Sequence, residues 1–425
     1  MTEIKGENLR IVLNKTGAKR YAKVSYPARF GVYSEIETPE YLYQFNLKGE
    51  IRFVQGRGSA WPRDEWLKRT AGNDWVYYTP GVYTGLFSFI GEYYLPCFVY
   101  HSNSIFAYRP FENASVERAI ESVDELAQGL AALPRDDLEP PVSDFLDLVM
   151  GNRRGTLAAK AERFHDSIGG PVRVLPPDTR HVDYDVIPIV IADGCLYNCD
   201  FCMIKDGKEF APRSREDIDE QIESLKDFYG SDISNYNSIL LGQNDALNAG
   251  EDLIAYSLER AYEAFDFANS SLRGCNLFLF GSVDSFMRAG DDLFRYLNGS
   301  PCYTYINLGF ESLDDETLDY LGKPLTVNEI RDAFAKMLDI NRRFDRIEMT
   351  ANFVFSDDLP EGHTPSILRL NEQLDGRASG KGGIYLSPLI SPFNTGESNV
   401  ELQKKFIGIK NALRLPVYLY LIQRL

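Results

Sequence analysis

Three thiols fall within eight residues, in the stretch Cys195-Leu196-Tyr197-Asn198-Cys199-Asp200-Phe201-Cys202. The stretch directly follows an apolar run, Val186 to Ile191, that ends in Ala192-Asp193-Gly194. Thiols so closely spaced suit metal ligation better than packing. A structural zinc site is closed by four ligands, and the neighbouring sequence supplies no fourth Cys or His. An iron–sulfur cluster held by three thiolates instead keeps one iron open. Two blander readings share the pattern. One is a zinc knuckle whose fourth ligand folds in from Cys97, Cys275, Cys302 or one of the four histidines, and the other is a disulfide with a spare thiol.

The spacing C-x3-C-x2-C, with Phe201 immediately before the third cysteine, resembles the signature of the radical S-adenosylmethionine (SAM) superfamily. The resemblance implies that Cys195, Cys199 and Cys202 hold a 4Fe-4S cluster. It implies that the amino and carboxylate groups of SAM chelate the open iron and that Phe201 lies by the adenine. One electron from the reduced cluster would then cleave the sulfonium to methionine and a 5′-deoxyadenosyl radical, which takes a hydrogen atom from substrate. On this reading the cofactor carries the hard chemistry and the protein orients it.

Later segments offer further SAM contacts by the same resemblance. In Leu241-Gly242-Gln243-Asn244-Asp245 the superfamily commonly shows a Gly-Gly-Glu-like segment that binds the SAM ammonium. Here Gln243 or Asp245 has to supply the acceptor, and a carboxylate is the better partner for a cation. An Asn-Asp turn leading into a helix is the competing reading. The polar run Phe280 to Ser285 either contacts the ribose or starts a helix. Ile306-Asn307-Leu308-Gly309-Phe310-Glu311-Ser312 resembles the Gly-x-Glu-Ser segment of the branch that includes oxygen-independent coproporphyrinogen oxidases and Elongator-type enzymes. That likeness implies that Glu311 and Ser312 touch SAM's polar groups, with Lys323 near the same face, against the plainer reading of an acidic helix start. Asn352 and Ser387 stand where the superfamily contacts ribose and adenine, although a lone amide is as often a satisfied core group.

These residues sit in a carboxy-terminal region in which short apolar runs alternate with amphipathic ones. Strands are expected at 186–191, 238–241, 277–280, 303–308, 347–355 and 383–386, and helices at 214–229, 251–266, 284–297, 326–339, 364–374 and 400–413. Such alternation gives an α/β unit with a parallel sheet, either doubly wound or a partial barrel, and both put their chemistry at the carboxy-terminal ends of the strands. The resemblance implies the partial six-stranded (β/α)6 radical SAM barrel. The apolar run Val417 to Ile422 is expected to cover the barrel's open edge.

Upstream, aromatic and β-branched runs separated by turns indicate a β-rich α+β domain. Its clearest feature is a hairpin of Tyr41 to Leu47 and Glu50 to Val54 about Lys48-Gly49. Strands are also expected at Trp75 to Tyr78 and Tyr93 to Tyr100. The three tryptophans, Trp61, Trp66 and Trp75, lie among Arg57, Arg63, Lys68 and Arg69, so they either bind a ligand beside basic groups or fill a core. Apolar spacing from Val116 to Leu133 predicts a helix capped by Ser115, a second helix follows around Phe145 to Val149, and residues 151–183 read as the bridge. The expected division is 1–183, an amino-terminal domain and linker with a substrate-binding or lid role, and 184–425, the core with a carboxy-terminal extension.

Composition narrows the class. With 44% hydrophobic and 25% charged residues over 425 positions, the chain reads as an ordinary globular protein. Six cysteines, three of them in one motif, make a disulfide framework improbable and imply a reducing compartment, and no signal-like start is present, so a cytoplasmic location is expected. A net charge of −17 disfavours nucleic acid and anionic membranes as partners. Lys205, Lys208, Arg213 and Arg215 give a local positive excess beside the cysteines, suited to an acidic low-potential electron donor such as a flavodoxin or ferredoxin. The leading expectation is a radical SAM enzyme of unidentified substrate. The alternative is a non-catalytic scaffold that keeps zinc or a cluster for stability.

Overall fold

The computed structural model describes the chain except residues 1–2, 6–7, 59–60, 82, 99, 137, 198, 203–206, 375–380 and 390–395. The amino-terminal strands are β1 (Glu3–Lys5), β2 (Arg10–Thr16), β3 (Val32–Glu37), β4 (Tyr41–Phe45), β5 (Ile51–Gly56), β6 (Trp66–Arg69), β7 (Trp75–Thr79) and β8 (Leu95–Cys97). They form one antiparallel meander in chain order. The expected hairpin is β4–β5. Its turn places Gly49 at φ +68°, and the Asn46 side-chain oxygen accepts from the backbone N–H groups of Lys48 and Glu50 at 3.0 and 2.9 Å. A Cβ at Gly49 would stand 2.6 Å from the Cβ of Leu148, so glycine also lets the turn lie against helix Pro140–Gly151.

Burial settles the tryptophan segment. Trp61 and Trp66 are core residues, and so are Lys68 and Arg69. The Arg29 guanidinium lies 4.0 Å over the Trp66 ring, and Lys68 pairs with Asp183 and Asp185, each at 3.0 Å. Two of the four basic residues are thus buried, with the Lys68 charge taken up by carboxylates of the neighbouring layer, while Arg57 and Arg63 are exposed.

One expectation upstream of the core is corrected. Helix Ala114–Ala131 is capped by Asn113, whose side chain accepts from the Ser115 N–H at 3.0 Å, so Ser115 is a donor inside the first turn and not the cap. Residues 151–183, the expected bridge, contain helix Arg154–Ile168. Its buried stripe is Leu157, Ala161, Phe164 and Ile168, whose spacing of three and four was hidden among charged neighbours. Gly169, at φ +82°, ends it.

The second sheet is parallel and seven-stranded among the described residues. Its members are β9 (Ile187–Ile189), β12 (Ser238–Leu241), β13 (Asn276–Gly281), β14 (Tyr303–Glu311), β15 (Ile347–Phe355), β16 (Ile384–Pro388) and β17 (Val417–Leu419). Between β9 and β12 lie the short antiparallel partners β10 (Ala192–Asp193) and β11 (Ala211–Pro212). The order is β17-β16-β15-β14-β13-β12-β9. All six expected strands are present. The seventh comes from the run expected only to cover the edge, which instead pairs with β16, Ile384 opposite Val417. The single helix expected over 284–297 is two, Val283–Arg288 and Asp291–Gly299, because Ala289 at the end of the first leaves the helical region (ψ 123°) and Gly290 starts the second.

Cys275 and Cys302, at the entrances of the neighbouring strands β13 and β14, form a disulfide. Sequence composition argued against such bonds; the parallel pairing of β13 with β14 brings together two thiols that lie 27 residues apart. The two sheets share one buried core. Arg52 of β5 also pairs with Asp185 at 2.7 Å, just before β9.

Candidate active site

The three cysteines leave the sheet on a loop clamped at its base. β10 pairs with β11, and Arg213 donates to both carboxylate oxygens of Asp193 at 2.9 and 2.8 Å. Gly194 stands at φ +70°, where a Cβ would be 2.2 Å from the Glu209 carbonyl oxygen. Only glycine lets the returning strand pass so close before the first cysteine. Farther along, the Asp200 N–H donates to the Leu321 carbonyl at 3.0 Å, which ties the loop to the segment after helix Asp315–Tyr320.

Cys195, Cys199 and Cys202 line one cavity of about 1200 Å³ at the carboxy-terminal ends of the parallel strands. Phe201, Gln243, Asp245, Glu311, Asn352 and Ser387 line the same cavity. So do Asn244, Asn307 and Lys323. Burial pushes the Cys199 thiol up to about 11 and raises that of Cys195, so thiolates here require compensating positive charge, as ligated iron provides.

Glu311, Asn352 and Ser387, noted separately in the sequence, form one chain across β14, β15 and β16. The Ser387 hydroxyl donates to the Asn352 amide oxygen at 2.8 Å, and the Asn352 amide nitrogen reaches a Glu311 oxygen at 3.5 Å. The other Glu311 oxygen is 3.5 Å from the Lys323 ammonium, which donates to the Gly309 carbonyl at 3.0 Å and lies 4.7 Å over the Tyr197 ring. Burial raises the Glu311 carboxyl, opposed by Lys323. Its backbone is left-handed, φ +66°, where β14 bulges against β15 between Gly309 and Glu311. Such a conformation in a non-glycine residue costs on the order of 1–3 kcal/mol and is held by its surroundings.

Asp245 is buried. One of its oxygens accepts from the Ser282 N–H at 2.9 Å and the Ser285 hydroxyl at 2.6 Å, and the other is buried without a partner. Gln243 uses its side-chain oxygen to accept from the Arg173 N–H at 3.1 Å. Two expected contacts stand elsewhere. Gly242 is a backbone position, at φ +72°, whose N–H donates to the Ile189 carbonyl at 2.7 Å. Ser312 is fully buried, bound to His363 Nδ1 at 2.8 Å and accepting from the Asp314 N–H. Its neighbour's left-handed turn sends the two side chains apart. Lys205 and Asp206 lie outside the described residues.

The donor set fits a thiolate-ligated cluster with a cationic cosubstrate. Three sulfurs face one space, and one Asp245 oxygen is a buried acceptor without a partner. Residues 189–353 match the model of the Radical SAM superfamily. That segment is a radical SAM domain, the domain that marks the radical SAM class of enzymes. Members use a 4Fe-4S cluster and SAM. No curated protein matches this chain.

Solved structures similar to this chain include a radical SAM methyltransferase from Sphaerobacter thermophilus, 12% identical, with a TM-score of 0.36 over 55% of this chain and 66% of that one. The maturase HydG of the [FeFe]-hydrogenase gives 13% identity and a TM-score of 0.37 over 73% and 63%. SuiB of Streptococcus suis, solved bound to SAM, gives 12% and 0.36 over 84% and 70%. The chain spans between about a third and two thirds of the first structures it matches. Likeness at this level does not extend to substrate or reaction.

The sequence reading missed Asn307, Asn244 and the wall contributed by Gly72, Tyr100, His165 and Arg173. Asn307 was legible as a polar residue in an apolar strand. The wall was not, since its members are brought together only by the packing of the two sheets.

Proposed function

We propose that this chain reductively cleaves SAM at a 4Fe-4S cluster held by Cys195, Cys199 and Cys202 and abstracts hydrogen from a substrate enclosed in the same cavity. When bound, the cluster and SAM supply the electron transfer and the radical. The chain's own residues bind and orient. The orphaned Asp245 oxygen accepts from the SAM ammonium, Glu311 and the Asn352–Ser387 pair engage its remaining polar groups, and Phe201 packs on the adenine. Lys323 holds Glu311 in place and opposes the effect of burial on its carboxyl. The reading is carried by the convergence of three thiols and a buried, half-satisfied carboxylate on one cavity.

Electron entry is proposed at the outer face of the cysteine loop. Leu196 and Tyr320 are exposed apolar groups there, and Lys208 and Arg215 are positive residues of the same segment that suit an acidic donor. The β6–β7 turn of the amino-terminal sheet, through Gly72 and Asp74, and residues 171–174 wall the cavity on the proposed substrate side. Anaerobic reconstitution tests the proposal. About four irons per chain and 5′-deoxyadenosine formed with SAM and dithionite are expected, lost in Cys195→Ala, Cys199→Ala and Cys202→Ala and kept in Cys97→Ala. One zinc per chain without SAM cleavage would support the scaffold reading instead.

A further inference from the structure

Asn307 of β14 lines the cavity, is only 2% exposed, and has no part in holding the cluster or SAM as proposed above. It stands opposite Phe280 of β13 and Thr350 of β15. Asn352, which meets Glu311 and Ser387, lies two residues beyond Thr350 along β15. Asn307 therefore sits about 7 Å nearer the beginnings of the strands than the level of those three polar side chains.

Its partners fix which way the Asn307 amide points. The amide nitrogen donates to Thr350 Oγ1 at 3.0 Å, and the Thr350 hydroxyl donates to one oxygen of buried Asp178 at 2.8 Å. The Tyr385 hydroxyl donates to the other Asp178 oxygen at 3.1 Å. Burial alone would raise the Asp178 carboxyl, but His181, Arg180 and Thr350 together bring it below its ordinary range, so it is ionised and can only accept. Thr350 spends its single proton there and can only accept from Asn307, which places the amide nitrogen toward Thr350 and the oxygen away from it. Asn307 Oδ1 accepts no hydrogen bond among the described residues, and it is not sealed in the core, so it is presented to the cavity. An acceptor held in this way is already ordered before a ligand arrives.

The cavity beside this oxygen is apolar. Phe280, Val174, Tyr420 and Ile422 pack into one cluster and line it. The Tyr420 hydroxyl is taken by the Leu175 carbonyl. Asp178, behind Thr350, has both oxygens occupied, so an ammonium buried here would lack a counter-charge, a cost that a neutral group avoids. We infer that Asn307 is a specificity-determining residue whose Oδ1 accepts from a neutral donor, a hydroxyl or an amide N–H, on an otherwise apolar end of the substrate. Thr350 and Asp178 are positioning residues that hold the amide for it. That the bound molecule is the substrate rests on the radical SAM reading above; the donor preference of the site does not.

Ligand-observed NMR titration of the full reconstituted chain, with and without saturating SAM, tests this with four probes that share one ring: benzyl alcohol, benzamide, benzyl methyl ether and benzylamine. The alcohol or the amide should bind more tightly than the ether by about two- to tenfold, the range for one neutral hydrogen bond. A preference for the alcohol alone assigns a hydroxyl, and one for benzamide alone an amide N–H. Asn307→Leu should erase the preference while the ether still binds, and Thr350→Val, which frees the amide to turn, should reduce it. Asn307→Asp, which keeps the shape and adds a charge, should shift the preference to benzylamine and serves as the second variant if the leucine chain does not fold. In the chain carrying Cys195→Ala, Cys199→Ala and Cys202→Ala the preference should persist while SAM cleavage is lost, so failure of the radical chemistry and failure of this site are told apart. No preference over the ether in the parent, a preference that survives both Asn307 variants, or displacement of the alcohol by SAM overturns the inference.

Discussion

Replacing Glu311 by Gln keeps the shape of the side chain and its reach to Asn352 but removes the charge facing Lys323. Both side chains are nearly inaccessible, 8% and 5% exposed, and their charged atoms are 3.5 Å apart. At an effective dielectric of about 20 that separation corresponds to roughly 5 kcal/mol of Coulomb attraction. Removing one partner of a buried pair costs about 3–5 kcal/mol, because the other charge stays buried. Here the Gly309 carbonyl and the Tyr197 ring remain beside the ammonium, so the loss belongs at the lower end, about 3 kcal/mol. Urea unfolding at pH 7 measures it, and Lys323→Met in the Glu311→Gln background should recover most of the loss, giving a clear coupling energy in the double-mutant cycle. A separate assay reads SAM. In the reconstituted single variant, iron content should be unchanged and SAM affinity should fall about ten- to hundredfold. Glu311→Gln as stable as the parent, with a double variant no better, would falsify the buried-pair argument, and unchanged SAM affinity would remove Glu311 from the binding site.

Gly194→Ala should block cluster uptake while leaving the remaining fold intact, since it adds a Cβ 2.2 Å from the Glu209 carbonyl oxygen at φ +70°; iron content and far-UV circular dichroism check both halves. Cys275→Ala should lower stability by about 3–4 kcal/mol, the chain-entropy value for a bridge closing a loop of this length, with the cluster chromophore retained; reducing agent should abolish the difference between parent and variant. Glu92 is buried among Tyr78, Tyr184, Arg180 and Asp183, and burial pushes its carboxyl up to about 8, with one oxygen left unpartnered. The folded state therefore holds a proton that the unfolded chain releases above its ordinary value of 4.5, so this group's contribution to stability falls as pH rises from there to about 8, by about 1.4 kcal/mol per pH unit. Glu92→Gln should flatten the urea stability profile between pH 6 and 8, and an unchanged slope would refute the assignment. Charge reversal of Lys208 and Arg215 together should slow turnover driven by a flavodoxin, most at low salt, and leave dithionite-driven turnover nearly unchanged. An equal loss with both reductants would place these residues in the fold or the active site.

What the sequence determined by itself was the local part of the site. The cysteine loop is contiguous, so its ligand spacing is visible without any fold. The six strands that precede the cavity were legible because buried parallel strands read as short apolar runs between amphipathic helices. Asp245, Glu311, Asn352 and Ser387 could be noted one at a time, as polar residues at strand ends.

Only the tertiary structure decided which of them meet. Glu311, Asn352 and Ser387 are joined because β14, β15 and β16 are neighbours in register, a relation between segments far apart in the chain. Ser312, adjacent to Glu311, is turned toward His363 by the left-handed backbone of Glu311, a dihedral no composition reveals. The Cys275–Cys302 bond and the seventh strand β17 likewise depend on pairing partners and not on local propensity. The wall with His165 and Arg173 arises where two sheets pack. Its residues come from a loop, a helix end and a connecting segment with no shared pattern, and long-range packing alone puts them in one cavity.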